Sequence, residues 1–94
     1  MDKKSNKTLD CIIARFIKDL PSRFERFEDY TNKSDWQHLQ EEAHKLKGLG
    51  TTMGFPQLSE ICEKISDNCL KQCYEPAVTQ VAELKKIILT ITKL

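Results

Sequence analysis

The sequence predicts an all-α chain folded as an antiparallel four-helix bundle. Three observations carry that expectation. Apolar residues recur at helical spacing in each long stretch, and none shows the two-residue alternation of a strand. Proline and glycine are scarce, at three each, and they fall at or near the breaks between apolar stripes. The connections between stripes are short, which sets successive helices antiparallel.

The first stripe is Leu9, Ile12, Ile13, Phe16, Ile17 and Leu20, predicting a helix over roughly residues 6–20. Pro21 has no backbone N–H and disfavours helix in the residue before it. A second helical piece, with Phe24, Phe27 and Tyr30 inward, is therefore expected over 21–32, and the first element is expected to be bent at Pro21. The next helix, over 35–49, opens at "SDWQ". There Ser34 is the expected N-cap, and Gln37 the expected partner in a capping box. Its inward residues are Trp36, Leu39, Ala43 and Leu46. Pro56 suits the first position of a helix over 56–72, which turns Leu58, Ile61, Cys62, Ile65 and Cys69 inward. Pro76 marks the first turn of the last helix, 76–93, with Val78, Val81, Leu84, Ile88 and Ile91 as its stripe.

At 94 residues the chain is expected to be a single domain over 1–94. Such a chain buries about 60–65% of its unfolded surface, leaving little room for a deep enclosed active site. Basic and acidic residues number 15 and 14 and alternate closely, which argues against a nucleic-acid binder with its basic face. No apolar run approaches the roughly 20 residues needed to cross a bilayer. The basic start, "MDKKSNKTLD", leads into a segment interrupted by Arg15, Lys18 and Asp19, unlike a signal peptide. The expected compartment is the cytoplasm. Cys11, Cys62, Cys69 and Cys73 include no C-x-x-C pair, so neither zinc nor a redox pair is suggested. Cys62, Cys69 and Cys73 fall on one side of a helix, as buried thiols would.

The stretch "HKLKGLGTTMG" holds a histidine, two lysines and all three glycines. On a helical wheel Trp36, Leu39, Ala43 and Leu46 span about 80°, and His44 stands about 120° from the middle of that arc. His44 is thus expected to project into solvent. Gly48 lies one turn on, Gln40 and Glu41 one turn before, and Lys47 flanks at i+3. Glycine inside a helix costs roughly 0.5–1 kcal/mol relative to alanine. A helix end accounts for one glycine as a cap, and close approach of another backbone for the others. From the residues alone, a docking site at His44 and a frayed helix end are both open.

"AHKLKGLGTTMGFPQLSEICEKIS" resembles the signature of histidine-containing phosphotransfer (HPt) domains, the relay modules of multistep two-component signalling. Ala43, His44, Leu46, Lys47, Gly48, Gly54 and Leu58 match its fixed positions, Cys62 and Ile65 the apolar positions that follow, and Asp35-Trp36 the opening of the histidine helix. The resemblance implies that His44 accepts a phosphoryl group from a receiver-domain aspartate and passes it to another receiver. It implies that Lys47 and Lys45 offset the phosphoryl charge, and that Gly48 leaves room for the receiver. Gln40, Glu41, Leu49, Met53 and Ser66 are the further docking candidates, and Phe55 is divided between docking and stapling the third helix. Ser66 stands where several members carry a glutamine, and Thr51, Thr52 and Met53 where alanine and glycine are common. The implied partners are response-regulator receiver domains, including that of a hybrid sensor kinase. Mg²⁺ would belong to the receiver, with no cofactor on this chain and no autonomous kinase activity. The chain would act as a monomer, either free-standing or as part of a longer kinase.

Three other readings compete. A sensor kinase's dimerisation helix also carries a phosphoacceptor histidine, but an acidic residue and then a proline follow it, whereas Lys45 follows His44. A binding-only bundle would tolerate loss of His44. A metal site pairing His38 with His44 fails because they stand about 120° apart on one helix.

Overall fold

Four apolar stripes on one chain can leave water only by facing one another, and here they close into a ring of helices. The computed structural model describes residues 2–93, with side chains from Asp10 to Lys93. The helices are α1 (Asp2–Asn32), α2 (Trp36–Met53), α3 (Pro56–Leu70) and α4 (Tyr74–Thr92). Helix α2 packs on α1 and α3, and α4 closes the ring against α3 and α1. Described residues include no strand. Antiparallel order is visible in single contacts: Tyr30 near the end of α1 stacks on His38 at the start of α2. Likewise Asn68 near the end of α3 donates to Gln80 in the second turn of α4, at 2.7 Å.

The core follows the expected stripes. Leu20, Phe27, Leu39, Leu46, Leu58, Ile65 and Leu84 are almost wholly shielded. Each such side chain contributes about 1.5–3 kcal/mol by leaving water. Leu9 was expected to join them, but its side chain lies outside the described residues. Val78 does not join them: it is 42% exposed, and Ala77 takes its inward place. Ile12 is also exposed.

Helix α1 differs from the expected two pieces. It runs through Pro21 as one α-helix. Pro21 lies on the solvent side while Leu20, Phe24 and Phe27 beside it are buried. Proline forfeits one backbone hydrogen bond, at about 3 kcal/mol. Burying that aromatic row offsets the loss, so the helix continues.

The three connections share one design. Ser34, Gly54 and Gln72 adopt left-handed φ values of 56°, 87° and 61°. Each is followed by a residue whose N–H reaches back to close the preceding helix: Asp35 to the Tyr30 carbonyl at 2.8 Å, Phe55 to Gly50 at 2.8 Å, and Cys73 to Asn68 at 2.8 Å. These are Schellman closures. The closing residue is in each case also the N-cap of the next helix. Consequently Asp35, not Ser34, caps α2, its carboxylate accepting from the His38 N–H. Ser34 does not serve because its left-handed backbone is used to end α1, and the cap position falls one residue later. The same closure ends α3 at Leu70 rather than at 72 and starts α4 at Tyr74 rather than at 76. Cys73 is left exposed in that connection, apart from the buried Cys62 and Cys69.

Candidate functional site

The glycine cluster is explained residue by residue. Helix α2 continues to Met53, beyond the expected end at 49, so Gly48 and Gly50 lie inside it. Gly54 is its left-handed C-cap. Gly50 is where α3 comes close. A Cβ there would stand 2.7 Å from the Ser59 hydroxyl, 3.1 Å from Leu58 Cβ and 3.2 Å from the Ser59 backbone nitrogen. Gly48 has neither reason, since a Cβ there would meet nothing within 4 Å. It leaves a bare strip of helix on the surface.

That strip lies beside His44. The histidine is exposed, as its position on the wheel requires. Lys47, three residues on, reaches across to α3, its ammonium 3.7 Å from a Glu63 carboxylate oxygen. The side chains of this pair are 39% and 55% exposed, so water screens it and the lysine can leave its partner at small cost. Lys45 turns the other way, 4.0 Å from the buried carboxylate of Glu42, which Arg26 of α1 approaches at 3.9 Å. Of the two lysines, Lys47 is the one on the His44 side of the helix.

One turn before His44, the Gln40 amide nitrogen donates to the Ser66 hydroxyl at 2.9 Å. Ser66 is only 6% exposed, so it meets the surface through Gln40. Glu41 is exposed on the outer flank of the same turn. One turn after His44, three hydroxyls hold the backbone. Ser59 donates to the Lys47 carbonyl at 2.7 Å, Thr51 lies 2.8 Å from Ser59, and Thr52 donates to the Gly48 carbonyl at 3.0 Å. The helix carrying the exposed histidine is therefore tied to α3 on both sides of it.

Leu49, Met53 and Phe55 are not brought to this face. Leu49 and Met53 stand about 140° and 180° from His44 around α2. Both pack half-buried against the core, as does Phe55, whose ring stacks over Phe16 with centroids 6.0 Å apart. The face is thus polar near His44: Gln40, Glu41, Lys47 and the bare Gly48. Sequence reasoning missed Ser59, Glu63 and Glu42. A small residue opposite a helical glycine is the signal that could have found Ser59, but only with the register between α2 and α3 in hand. His38, the second histidine, is exposed and engaged with Asp35 at 2.7 Å.

Chemically the site offers an accessible imidazole, an ammonium on the same side held only by a solvent-screened ion pair, and clear space at Gly48 for a partner's backbone. Among the described residues no cluster of three or more His, Cys, Asp or Glu side chains could hold a metal ion. No helix among them is long and apolar enough to cross a membrane. A family model described as the Hpt domain matches residues 12–92. No curated protein and no solved structure matches.

Proposed function

The chain belongs to the Hpt domain family, whose members carry phosphoryl groups in phosphorelays and meet receiver domains as they do so, and we propose that His44 is its phosphoacceptor. The observation that carries this reading is the exposed His44 with Lys47 and a glycine with nothing over it on the next turn of the helix. A neutral imidazole has one ring nitrogen with a free lone pair. That nitrogen attacks the phosphorus of a receiver's aspartyl phosphate. The N–P bond forms as the P–O bond to the aspartate breaks, and the carboxylate leaves with the electron pair. The reverse step, on a second receiver, moves the group onward.

Little covalent chemistry is asked of the protein, so positioning and charge do most of the work. Lys47 offsets charge on the phosphoryl oxygens after leaving Glu63, through a charge-assisted hydrogen bond. Lys45, held toward Glu42, acts at longer range. Gly48 admits the receiver's loops, with Gln40 and Glu41 at the rim. Mg²⁺ is supplied by the receiver's acidic pocket. This chain supplies a nucleophile and a docking surface without kinase activity of its own, as a cytoplasmic monomer in its simplest form. A receiver attached to a hybrid sensor kinase is one donor of that class.

The test is transfer from a panel of phosphorylated receivers in the presence of Mg²⁺, with His44→Gln as control. Acid-labile, alkali-stable label that the substitution abolishes is the expected result. A folded chain that binds receivers yet takes no label, and binds equally well as His44→Gln, would make it a binding-only bundle.

A further inference from the structure

The surface around His44 is polar, and Leu49, Met53 and Phe55 pack against the core instead of supplying an apolar contact for a partner. Such a contact lies on the other side of the histidine, one to two turns back along α2. We propose that a receiver domain seats an apolar side chain in the groove between the start of α2 and the end of α3, with exposed Leu70 as the main contact. The inference rests on His44 being the phosphoacceptor and adds the surface that holds the partner to it.

Gln37 and Gln40 stand about 20° and 40° from His44 around α2, so both share its side of the helix. They line one wall of a groove of about 270 Å³. Leu70 lines the other wall. It ends α3, one turn past Ser66, which meets Gln40 across the seam. Trp36 and Tyr74 close the groove, stacked with centroids 4.5 Å apart and rings 7° from parallel. Among the described residues Leu70 is the most exposed of the large apolar side chains, at 68%. No charged side chain lines the groove, in a chain that is 31% charged. The groove between α3 and α4 carries Glu60, Lys64 and Glu83, and that between α1 and α4 carries Glu28 and Lys85. Another uncharged groove, at Phe55 and Ile91, opens beside α4, across the ring from α2. The centres of protein interfaces are depleted in charge and enriched in Trp and Tyr, as this groove is.

Reach decides whether a partner at His44 covers it. A standard interface occupies about 800 Å² on each partner, a disc of about 16 Å radius. Trp36 is eight residues before His44, about 12 Å along the axis. A receiver centred on His44 therefore extends over the groove. The same reach toward the end of α2 meets Gly48 and the hydroxyls of Thr51 and Thr52, which offer little apolar surface to bury. The partner is a receiver with an apolar patch beside its phosphorylated aspartate.

The test titrates the isotope-labelled full chain with each unlabelled receiver of the panel, so that Trp36, the single tryptophan, gives one indole signal. That signal and the Leu70 methyls should move on binding, while the methyls of Leu89, exposed on α4, should not. Leu70→Ala should weaken receiver binding about tenfold or more. It should slow transfer at low receiver concentration, leave the saturated rate unchanged, and leave the unfolding midpoint unchanged because Leu70 is exposed in the free chain. Val78→Ala, in the groove between α1 and α4, should bind as wild type does. Equal binding by Leu70→Ala and wild type, or an indole signal blind to a receiver that labels His44, overturns the proposal and leaves the relay standing. Receivers that bind through Leu70 yet never label His44 defeat the relay reading and leave the groove as the contact. A panel that neither binds nor labels overturns both. An indole signal that moves with the chain's own concentration, without receiver, gives the groove to a second copy and overturns the proposal.

Discussion

Gly50 and Ser59 are packed so tightly that a single methyl group on the glycine would lie 2.7 Å from the serine hydroxyl. That hydroxyl is itself engaged, donating to the Lys47 carbonyl at 2.7 Å. Two glycines in one helix turn therefore have opposite meanings. Gly50 lets α3 approach, and Gly48 keeps the neighbouring surface bare.

Substitution at the two should move stability in opposite directions. Gly50→Ala forces α2 from α3, because Leu58 Cβ and the Ser59 backbone cannot rotate away, and should cost about 1–3 kcal/mol. Gly48→Ala meets nothing and should raise stability by roughly 0.5–1 kcal/mol through helix propensity. Urea unfolding of both variants decides the matter. The same Gly48→Ala variant should transfer phosphate more slowly despite its greater stability, since its Cβ occupies the receiver's approach. Equal transfer by Gly48→Ala and wild type would remove the docking role of that glycine.

The Lys47–Glu63 contact sets a competition for the ammonium. Lys47→Ala should slow transfer to His44 about tenfold, the size of one charge-assisted hydrogen bond to the phosphoryl group. Glu63→Gln releases the lysine and should speed transfer or prolong the phosphohistidine by a few-fold. Rapid-quench kinetics on the two single variants and the double variant separate the effects. Acceleration by Glu63→Gln that survives in the Lys47→Ala background would mean that Glu63 acts other than through Lys47.

The helix connections make a separate prediction. Asp35→Ala should cost about 1 kcal/mol by removing the α2 N-cap. Ser34→Gly and Gln72→Gly should each stabilise by up to about 1 kcal/mol, because glycine adopts left-handed φ without the Cβ penalty. Thermal and urea unfolding of the three variants would show it. A larger loss from Ser34→Gly than from Asp35→Ala would restore Ser34 as the cap.

Burial pushes the Cys62 thiol up from the usual 9.0 to about 12, and raises Cys69 in the same direction. At mildly alkaline pH, iodoacetamide should modify exposed Cys11 and Cys73 and leave Cys62 until the chain unfolds. The raised folded value also fixes the sign of a pH effect. Below about pH 9 the thiol is protonated in both states and has no influence. Between about 9 and about 12 the unfolded thiol ionises first, so stability falls by about 1.4 kcal/mol per pH unit from this group. Cys62→Ala should be less stable at neutral pH, and its alkaline decline should be shallower by that amount. Parallel declines in the two proteins would contradict the burial effect.

Periodicity alone disclosed four helices, most of their inward residues and the outward direction of His44. It failed where local signals compete with packing. Pro21 reads as a break, yet the buried row Leu20, Phe24 and Phe27 carries α1 past it. Ser34 reads as a cap, yet the end of α1 claims it for a left-handed turn. Val78 reads as core at helical spacing, but Ala77 is the residue that α4 buries there instead. Leu49 and Met53, docking candidates on the family resemblance, pack half-buried against the core.

The sequence by itself determined the all-helical bundle, the family signature around His44 and the outward place of that histidine, because side-chain direction on a helix depends only on spacing along the chain. Only the tertiary structure decided which α3 residue meets which α2 residue: Ser59 against Gly50, Glu63 against Lys47, Ser66 against Gln40. Those pairings depend on the axial register and separation of two helices. Both are set by the fit of their buried side chains and by the two-residue closure at Gly54, which no single helix encodes.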